Sequence, residues 1–421
     1  MQKLKQIHYG WVIVFACFIM AFTTITALVN CLGIFIKPVS EDLGFTRAAF
    51  ALYYTCVSMA TMAFSPKMGS ILQKYNYKLV ILICSFGSAF SLFAFSRCTG
   101  LWQFRAVGVI CGIFTSGLTT MSVSCIINRW FVKKKATALS IAFSGSSMGS
   151  MVFNPLVSSV IENHSWNSAY ILLGTLILAV NVPVSLLLLK NSPADMGLKP
   201  YGADEEAEKN ITPGGRSITR SEALRMPFFW MFCLCCMTFG MMGSGIMQHI
   251  NSYLTDLGYT PAHAASVVVV AMGVATAAKL FFGLVFDRFG SWISTAIICL
   301  FMTLAAVLLL FAANPNILYV FSAAYGVAFS IISIPAPNLT ADLFGAGDYG
   351  RIYGVVVMFL SGGMSIGAPI AAALYDATGS YRPAWMLIVA LSLVAIALIY
   401  GAVNGVRRYK LLHTGEAYVV R

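Results

Sequence analysis

Charge is scarce in this chain. Asp, Glu, Lys and Arg together make up 10% of its 421 residues, whereas soluble domains average about 25%. Hydrophobic residues make up 59% of the chain. This composition excludes a soluble enzyme and indicates a protein that is surrounded by lipid.

Clustered metal ligands and nucleotide-binding loops are also missing. The eleven cysteines are scattered through apolar runs, and none is paired with histidine at the spacing of a zinc site, so we interpret them as small hydrophobes. No phosphate-binding loop is present, which argues against direct ATP coupling. We therefore expect no cofactor and no metal.

One apparent catalytic motif is excluded by its surroundings. The segment 145–149 reads GSSMG and formally matches the nucleophile elbow of serine hydrolases. That elbow needs a strand before it, and here the motif lies inside a long apolar run. We interpret 145–149, and likewise 363–367, as small-residue surfaces for close helix packing.

Twelve apolar runs are long enough to span a membrane, which takes about 20 residues. They lie near 11–36, 48–72, 79–97, 101–127, 136–161, 167–189, 228–255, 262–286, 292–313, 317–338, 350–375 and 383–405. The sequence predicts an all-α membrane protein with two pseudo-symmetric six-helix bundles, 1–189 and 227–421. The polar segment 190–226, with an acidic cluster at 204–208, is predicted to be a solvated cytoplasmic linker.

The distribution of Lys and Arg predicts the orientation. Most of the 27 basic residues fall in segments on the side of both termini. By the positive-inside rule, both termini are cytoplasmic and the protein is a multi-pass protein of the plasma (inner) membrane. The net charge of +12 then follows the topology. It gives no reason to expect a nucleic-acid partner, although anionic membrane lipid is attracted to such segments.

Lys279 lies deep in the eighth predicted span. The span ends near Asp287, about 12 Å of helical rise away, so Lys279 is close to the middle of a hydrocarbon core about 30 Å thick. A basic side chain there costs roughly 2.5–3.5 kcal/mol on insertion scales. No Asp or Glu lies in the central part of any span. Lys279 therefore lacks an obvious counter-ion and is a candidate anion-binding residue; the alternative is a structural lysine that snorkels to the interface.

The end of the eighth span resembles a known transporter signature. Residues 283–290 read GLVFDRFG, similar to the Gly-x-x-x-Asp-Arg-x-Gly signature of the major facilitator superfamily. The resemblance implies gating roles for Gly283, Asp287 and Arg288, with Asp287 meeting backbone amides or a basic side chain. The corresponding segment 69–78 keeps the glycine but has Gln73 in place of the aspartate. The charged contact that closes the gate on the first half is therefore expected to be weaker.

Further motifs are similar to the bacterial oxalate/formate antiporter and monocarboxylate-transporter-like family. They are NRWF at 128–131 with KKKA at 133–136, NLTADLFG at 338–345, and HINSYLTDLGY at 249–259. This resemblance implies that Lys279 takes the place of a carboxylate-binding cation on helix 8 and that Arg129 belongs to a gating segment. Arg105, in the segment LWQFR, is similar to a helix 4 signature of proton-linked members and implies coupling; an interfacial arginine is the alternative.

The resemblance also favours a singly charged substrate. The oxalate transporter carries a second cation on helix 11, which would fall near Val356 here. The animal monocarboxylate transporters carry an acidic residue and a lysine that would fall near Ala275 and Asn30. None of these charges is present. A monocarboxylate is therefore favoured over a dicarboxylate, and the relatives' proton-handling arrangement is not reproduced.

Other polar side chains in the spans are candidate substrate ligands. His249 can donate to a carboxylate or carry a proton near neutral pH; a satisfied interfacial histidine is the alternative. Amides and hydroxyls that can donate hydrogen bonds are provided by Asn30, Tyr54, Asn154, Tyr325 and Asn338. For each of them, hydrogen bonding between helices is the alternative.

These observations predict a secondary transporter for a small carboxylate, not an enzyme. Proton symport and anion exchange both remain open, with protons as the candidate coupling ion, and we expect the protein to function as a monomer. The alternatives are a major facilitator transporter for a neutral solute or drug, and a membrane solute sensor that does not transport.

Overall fold

The computed structural model describes residues 8–203 and 218–414. Within these ranges the chain is built from helices, and the one β contact is an isolated bridge between Phe131 and Tyr201. The predicted all-α fold is confirmed. The acidic cluster at 204–208 and the chain ends, 1–7 and 415–421, lie outside the described residues.

Six long helices form each half of the molecule. In the N-terminal half they are α1 Gly10–Leu43, α2 Arg47–Lys74, α3 Tyr77–Phe95, α4 Leu101–Trp130, α5 Lys135–Asn163 and α6 Trp166–Leu188. In the C-terminal half they are α7 Pro227–Asp256, α8 Pro261–Phe289, α9 Ser291–Leu309, α10 Pro315–Ile332, α11 Tyr349–Thr378 and α12 Arg382–Thr414. A further helical segment, Pro335–Phe344, continues α10. In the described part of the chain, eleven helices are long and apolar enough to cross a membrane, and α2 is the less apolar twelfth.

Local sequence sets the ends of several helices. At the starts of α2, α6 and α8, the side-chain oxygens of Thr46, Ser165 and Thr260 accept hydrogen bonds from backbone N–H groups. Such caps satisfy amides that have no partner within the helix. Gly44 and Gly379 end α1 and α11 with φ of 69° and 68°, a left-handed conformation that glycine adopts without strain.

In the described residues α1, α4 and α10 lose regular α geometry toward the middle of the molecule, and α6 ends in a π-helical turn, Val184–Leu188. In α1 a π-helical segment, Ala21–Asn30, is followed by a 3-10 turn, Leu32–Phe35. Helix α4 is interrupted at 116–119, and α10 ends in a 3-10 turn at Phe329–Ile332. Irregular backbone at membrane depth is tolerated where it lines a cavity or is buried in protein. The breaks therefore point to the middle of the molecule as the place for a site.

Small residues bring helices together within each half. A Cβ on Gly145 would lie 2.4 Å from the Phe18 carbonyl oxygen, so α5 packs directly on α1. A Cβ on Gly363 would lie 2.0 Å from the Met237 carbonyl oxygen, so α11 packs directly on α7. The prediction that segments 145–149 and 363–367 are packing surfaces is confirmed.

The two halves meet closely at one end of the bundle. We name this end the terminus face; it carries His8, the loop 131–134 and the linker. Here α2 packs on α11, and a Cβ on Gly69 would lie 2.1 Å from the Gly350 carbonyl oxygen. Helix α5 packs on α8 in the same way. The terminus face is thus closed between the halves.

Both ends of the linker are anchored to the terminus face. The Tyr201 amide donates to the Trp130 carbonyl at 2.9 Å, which ties the first end to the N-terminal half. The Ile218 amide donates to the Phe344 carbonyl at 3.0 Å, which ties the second end to the C-terminal half. The linker is thus anchored to both halves, while its residues 194–199 are exposed to solvent.

Candidate functional site

A cavity of about 430 Å³ lies between the two halves and is lined by all three broken helices. Exposed residues Gly33, Gln248 and Asn251 line its mouth, at the end away from the terminus face. The apolar part of its wall consists of Ile25, Leu28, Val29, Ile34, Ile36, Val57, Met247, Val268, Phe329, Ile332, Val357, Leu360 and Met364. The structure therefore has a central cavity that is closed toward the terminus face.

Lys279 projects from α8 into the wall of this cavity. Its residue is 1% exposed. The ammonium donates to the Phe143 carbonyl at 3.3 Å and to Ser146 Oγ at 3.2 Å, and it lies 5.7 Å from the centre of the Phe329 ring. All partners of the Lys279 ammonium in the described part of the chain are neutral. Since a buried ammonium is stabilised most by an anion, the site is suited to a carboxylate.

A row of polar side chains on α5 continues from Lys279. Ser146, Ser150 and Asn154 are spaced four residues apart and therefore share one face of α5. Asn30 Nδ2 donates to Ser150 Oγ at 2.7 Å, and Cys31 Sγ donates to Asn154 Oδ1 at 3.2 Å. The row links α1 to α5 along the cavity.

The structure brings together four of the seven predicted substrate ligands. Lys279, Asn30, Tyr54 and Asn154 all line the central cavity. They come from α8, α1, α2 and α5, so both halves contribute to the same wall.

His249 lies behind the cavity wall rather than in it. Its Nε2 is 2.9 Å from the Ala368 carbonyl oxygen, and its Nδ1 is 3.3 Å from the Tyr381 hydroxyl. The neighbouring Gln248 lines the cavity instead. Both ring nitrogens of His249 therefore have a partner within the C-terminal half, as in the alternative of a satisfied interfacial histidine.

Tyr325 and Asn338 are also placed outside the cavity lining. The Tyr325 ring stacks on Phe321 at 5.4 Å between centroids, and its residue is 1% exposed. Asn338 Nδ2 donates to the Ile334 carbonyl at 2.9 Å and lines a smaller pocket at the terminus face. Each of these two contacts is made with a residue four positions earlier, on α10 or its continuation.

Ser146 is a site residue that the sequence analysis did not single out. It lies inside the segment 145–149, whose glycines pack on α1 while Ser146 contacts Lys279. The four-residue spacing of Ser146, Ser150 and Asn154 is the signal that could have identified it.

One stripe of α8 connects the cavity to the closed terminus face. Lys279, Gly283 and Asp287 are spaced four residues apart, and all three contact α5. Asp287 accepts hydrogen bonds from the Ala136 amide at 3.2 Å, the Thr137 amide at 3.0 Å and the Thr137 hydroxyl. A carboxylate is stabilised at a helix N-terminus, where unpaired amides and the helix dipole both favour negative charge.

The second contact between the halves, α2 with α11, also includes a carboxylate but in a different arrangement. Gln73 Nε2 donates to the Gly347 carbonyl at 2.6 Å and lies 3.5 Å from Asp348 Oδ1. Asp348 also accepts from the Arg220 amide at 2.9 Å and pairs with Arg351 at 3.4 Å. The carboxylate in this contact therefore belongs to Asp348, at the start of α11, and Gln73 contacts it from α2.

Three candidate arginines make contacts within their own half. Arg105 donates to the Ala49 carbonyl at 3.3 Å, and Arg129 donates to the Asn191 carbonyl at 3.4 Å. Arg288 lies over the ring of its neighbour Phe289. None of these contacts, among the described residues, crosses between the halves.

Metal-ligating groups do not cluster in 8–203 or 218–414. No group of three His, Cys, Asp or Glu side chains there could hold a metal ion. The cysteines are unpaired, and all except the half-buried Cys56 are buried.

Substitution of Asp287 by asparagine is expected to loosen the start of α5. The amide removes the negative charge and replaces one acceptor with a donor, so amide exchange at 135–139 should speed up by roughly fourfold or more. Hydrogen–deuterium exchange of that segment measures the effect. Glu162→Gln, at the far end of α5, is the matched control. Equal exchange in wild type and Asp287→Asn would contradict the capping role.

Comparison with known proteins agrees with this architecture. The chain is 22% identical to monocarboxylate transporter 12 of Xenopus laevis, over 100% of this chain and 95% of the relative. It is 24% identical to monocarboxylate transporter 12-B of Danio rerio (90% and 84% covered) and 24% identical to monocarboxylate transporter 13 of Rattus norvegicus (90% and 85% covered).

Solved structures share the fold. The human organic anion transporter MFSD10 (TETRAN) superimposes with a TM-score of 0.69 at 14% identity, covering 93% of this chain and 99% of that one. FucP in its outward conformation gives 0.68 at 16% identity, covering 94% and 99%. The sequence profile of the Major Facilitator Superfamily matches residues 11–316 and 256–411. The chain therefore belongs to the Major Facilitator Superfamily and is a membrane transporter.

Proposed function

We propose that this transporter carries a small organic anion, a monocarboxylate, by alternating access of the central cavity. The observation that carries the proposal is the buried ammonium of Lys279, which lines the cavity and has neutral partners among the described residues. A substrate carboxylate is the counter-ion that these surroundings do not provide. The names of the relatives, monocarboxylate transporters 12 and 13, support the same substrate class.

The charge of the lining supports a monocarboxylate over a dicarboxylate. Of the described residues that line the cavity, Lys279 alone carries a formal charge. Val356, near which the resemblance places the second cation of the oxalate transporter, is buried and apolar. A second carboxylate would have to leave water without a cationic partner, and this desolvation is costly.

The contacts of Lys279 also suggest how binding is coupled to movement. In the structure the ammonium spans the gap between the halves, from α8 to the Phe143 carbonyl and Ser146 Oγ on α5. A bound carboxylate competes with these acceptors for the ammonium. Substrate binding would then weaken one of the contacts that join α5 to α8, in the stripe that also holds Gly283 and Asp287.

The proposal extends to orientation and assembly. Both termini would face the cytoplasm, so that the mouth of the cavity faces the outside of the plasma membrane. A single chain holds both halves of the cavity wall, which is consistent with a functional monomer. The linker ends would then be cytoplasmic, where they bridge the two halves.

Uptake into proteoliposomes tests the proposal. Purified protein is offered labelled monocarboxylates, dicarboxylates and the neutral amides of the same acids. We expect uptake of monocarboxylates at least tenfold above that of the matched dicarboxylates and amides. An inward proton gradient accelerates uptake in a symporter, and preloaded unlabelled acid accelerates it in an exchanger. Preference for the amides would instead support a neutral-solute transporter, and would overturn the proposal.

A further inference from the structure

The central cavity is larger and more apolar than an acid of one to three carbons needs. We propose that the substrate is an amphipathic monocarboxylate with a bulky apolar body, aromatic or branched, whose carboxylate pairs with Lys279. This inference rests on the proposed function and specifies its substrate class.

The size of the cavity is the first support. Its volume of about 430 Å³ lies in the range of about 300–1,000 Å³ that is typical of pockets for drug-sized ligands. A two-carbon acid at Lys279 would leave most of this space to water against an apolar wall. A larger apolar body displaces that water, which is favourable in proportion to the area buried.

The distribution of apolar residues is the second support. They come from both halves, with Leu28 and Val29 on α1 and Val357 and Leu360 on α11. The ring of Phe329 lies beside the Lys279 ammonium. An occupant anchored at Lys279 would therefore project its body among aliphatic and aromatic side chains.

The polar side chains of the cavity do not require a polar body. Asn30, Ser146, Ser150 and Asn154 are engaged with one another, with Cys31 and with Lys279. A sugar acid or other polyhydroxy acid would lose hydrogen bonds to water wherever its hydroxyls lie against the apolar part of the wall. The wall therefore favours an acid that carries its polarity at one end.

A graded series of acids tests the inference. Acetate, butyrate, hexanoate, phenylacetate and 3-phenylpropionate are compared for uptake by wild-type protein in proteoliposomes. If the body is buried in the apolar wall, the half-saturation concentration should fall by about fourfold for each methylene added, until the cavity is filled.

A matched pair of variants identifies the cavity as the cause. Val268 lines the cavity, whereas its neighbour Val269 on α8 is 49% exposed on the outer surface of the bundle. Val268→Phe should lower uptake of 3-phenylpropionate relative to acetate by at least tenfold, because the added ring occupies the space of the body. Val269→Phe should leave that ratio within twofold of wild type, and the thermal unfolding temperature of each purified variant shows whether it folds.

The outcomes separate this inference from the proposed function. If wild type prefers the larger acids and Val268→Phe loses this preference, the result supports both the monocarboxylate substrate and its bulky apolar body. Uptake of acetate without any gain along the series overturns the bulky substrate and keeps the monocarboxylate. Absence of uptake for every acid, with protein that is monodisperse and correctly inserted, overturns the monocarboxylate itself and the inference with it.

Discussion

Replacement of Lys279 by alanine should lower kcat/KM for monocarboxylate uptake by at least about a hundredfold. Removal of one partner of a buried ion pair costs about 3–5 kcal/mol, because the other charge is left without compensation in low-dielectric surroundings. In this transporter the charge left behind would be the substrate carboxylate. Initial uptake rates in proteoliposomes, measured over a range of substrate concentrations, give the change.

Lys279→Arg should retain part of the activity, since guanidinium keeps the positive charge but presents a larger, planar group. Lys67→Ala is the matched control, because Lys67 is an exposed cation on α2 outside the cavity lining. Its uptake should stay within twofold of wild type. Carboxylate transport at the wild-type rate by Lys279→Ala would show that the ammonium is structural, and the ion-pair hypothesis would be wrong.

The depth of Lys279 could be predicted from sequence, but its partners could not. Its distance from Asp287 along a helix follows directly from the rise per residue, and the structure places both on α8. The acceptors, Phe143 and Ser146, lie more than 130 positions away in sequence, on a helix of the other half. Only the packing of α5 on α8 brings them together.

The direction of each side chain around its helix could not be predicted for most of the candidate ligands. Asn154 and Asn30 face the cavity, whereas Tyr325 points into the packing of the C-terminal half. Helices that are apolar on all sides carry no polar stripe, so their sequence does not mark which face points inward. The irregular stretches of α1 and α10 shift the register further, so a regular period of 3.6 residues does not apply there.

Gln73 shows where a sequence departure has a structural explanation. The missing aspartate predicted a weaker charged contact on the first half. The structure places Asp348, at the start of α11, next to Gln73. An aspartate at 73 would place two carboxylates next to each other, which is unfavourable. Glutamine donates to the Gly347 carbonyl instead. The carboxylate that is missing at position 73 is therefore provided by Asp348, far away in sequence. A single sequence does not reveal that these two positions meet.

The closed terminus face depends on close approach of α8 to α5, and Gly283→Ala tests it. A Cβ at 283 would lie 2.7 Å from Ser140 Cβ and 2.9 Å from Thr137 Cα, distances that force the two helices apart. Overpacking of this kind costs about 1–3 kcal/mol, which shifts the population away from the closed terminus face by about fivefold to 150-fold. We expect uptake to fall at least fivefold, because the closed state is needed in each transport cycle.

Gly273→Ala is the matched control for this experiment. Gly273 lies on the same helix, yet a Cβ there would have its nearest neighbour at 3.9 Å, an ordinary contact. Spin labels on noncanonical amino acids in the α4–α5 loop and at the exposed end of α8 report the separation of the halves by double electron–electron resonance. Gly283→Ala should increase the long-distance population, whereas Gly273→Ala should match wild type. Because Gly283 lies between Lys279 and Asp287 on one stripe of α8, an unchanged distance distribution in Gly283→Ala would mean that this stripe does not hold the gate closed.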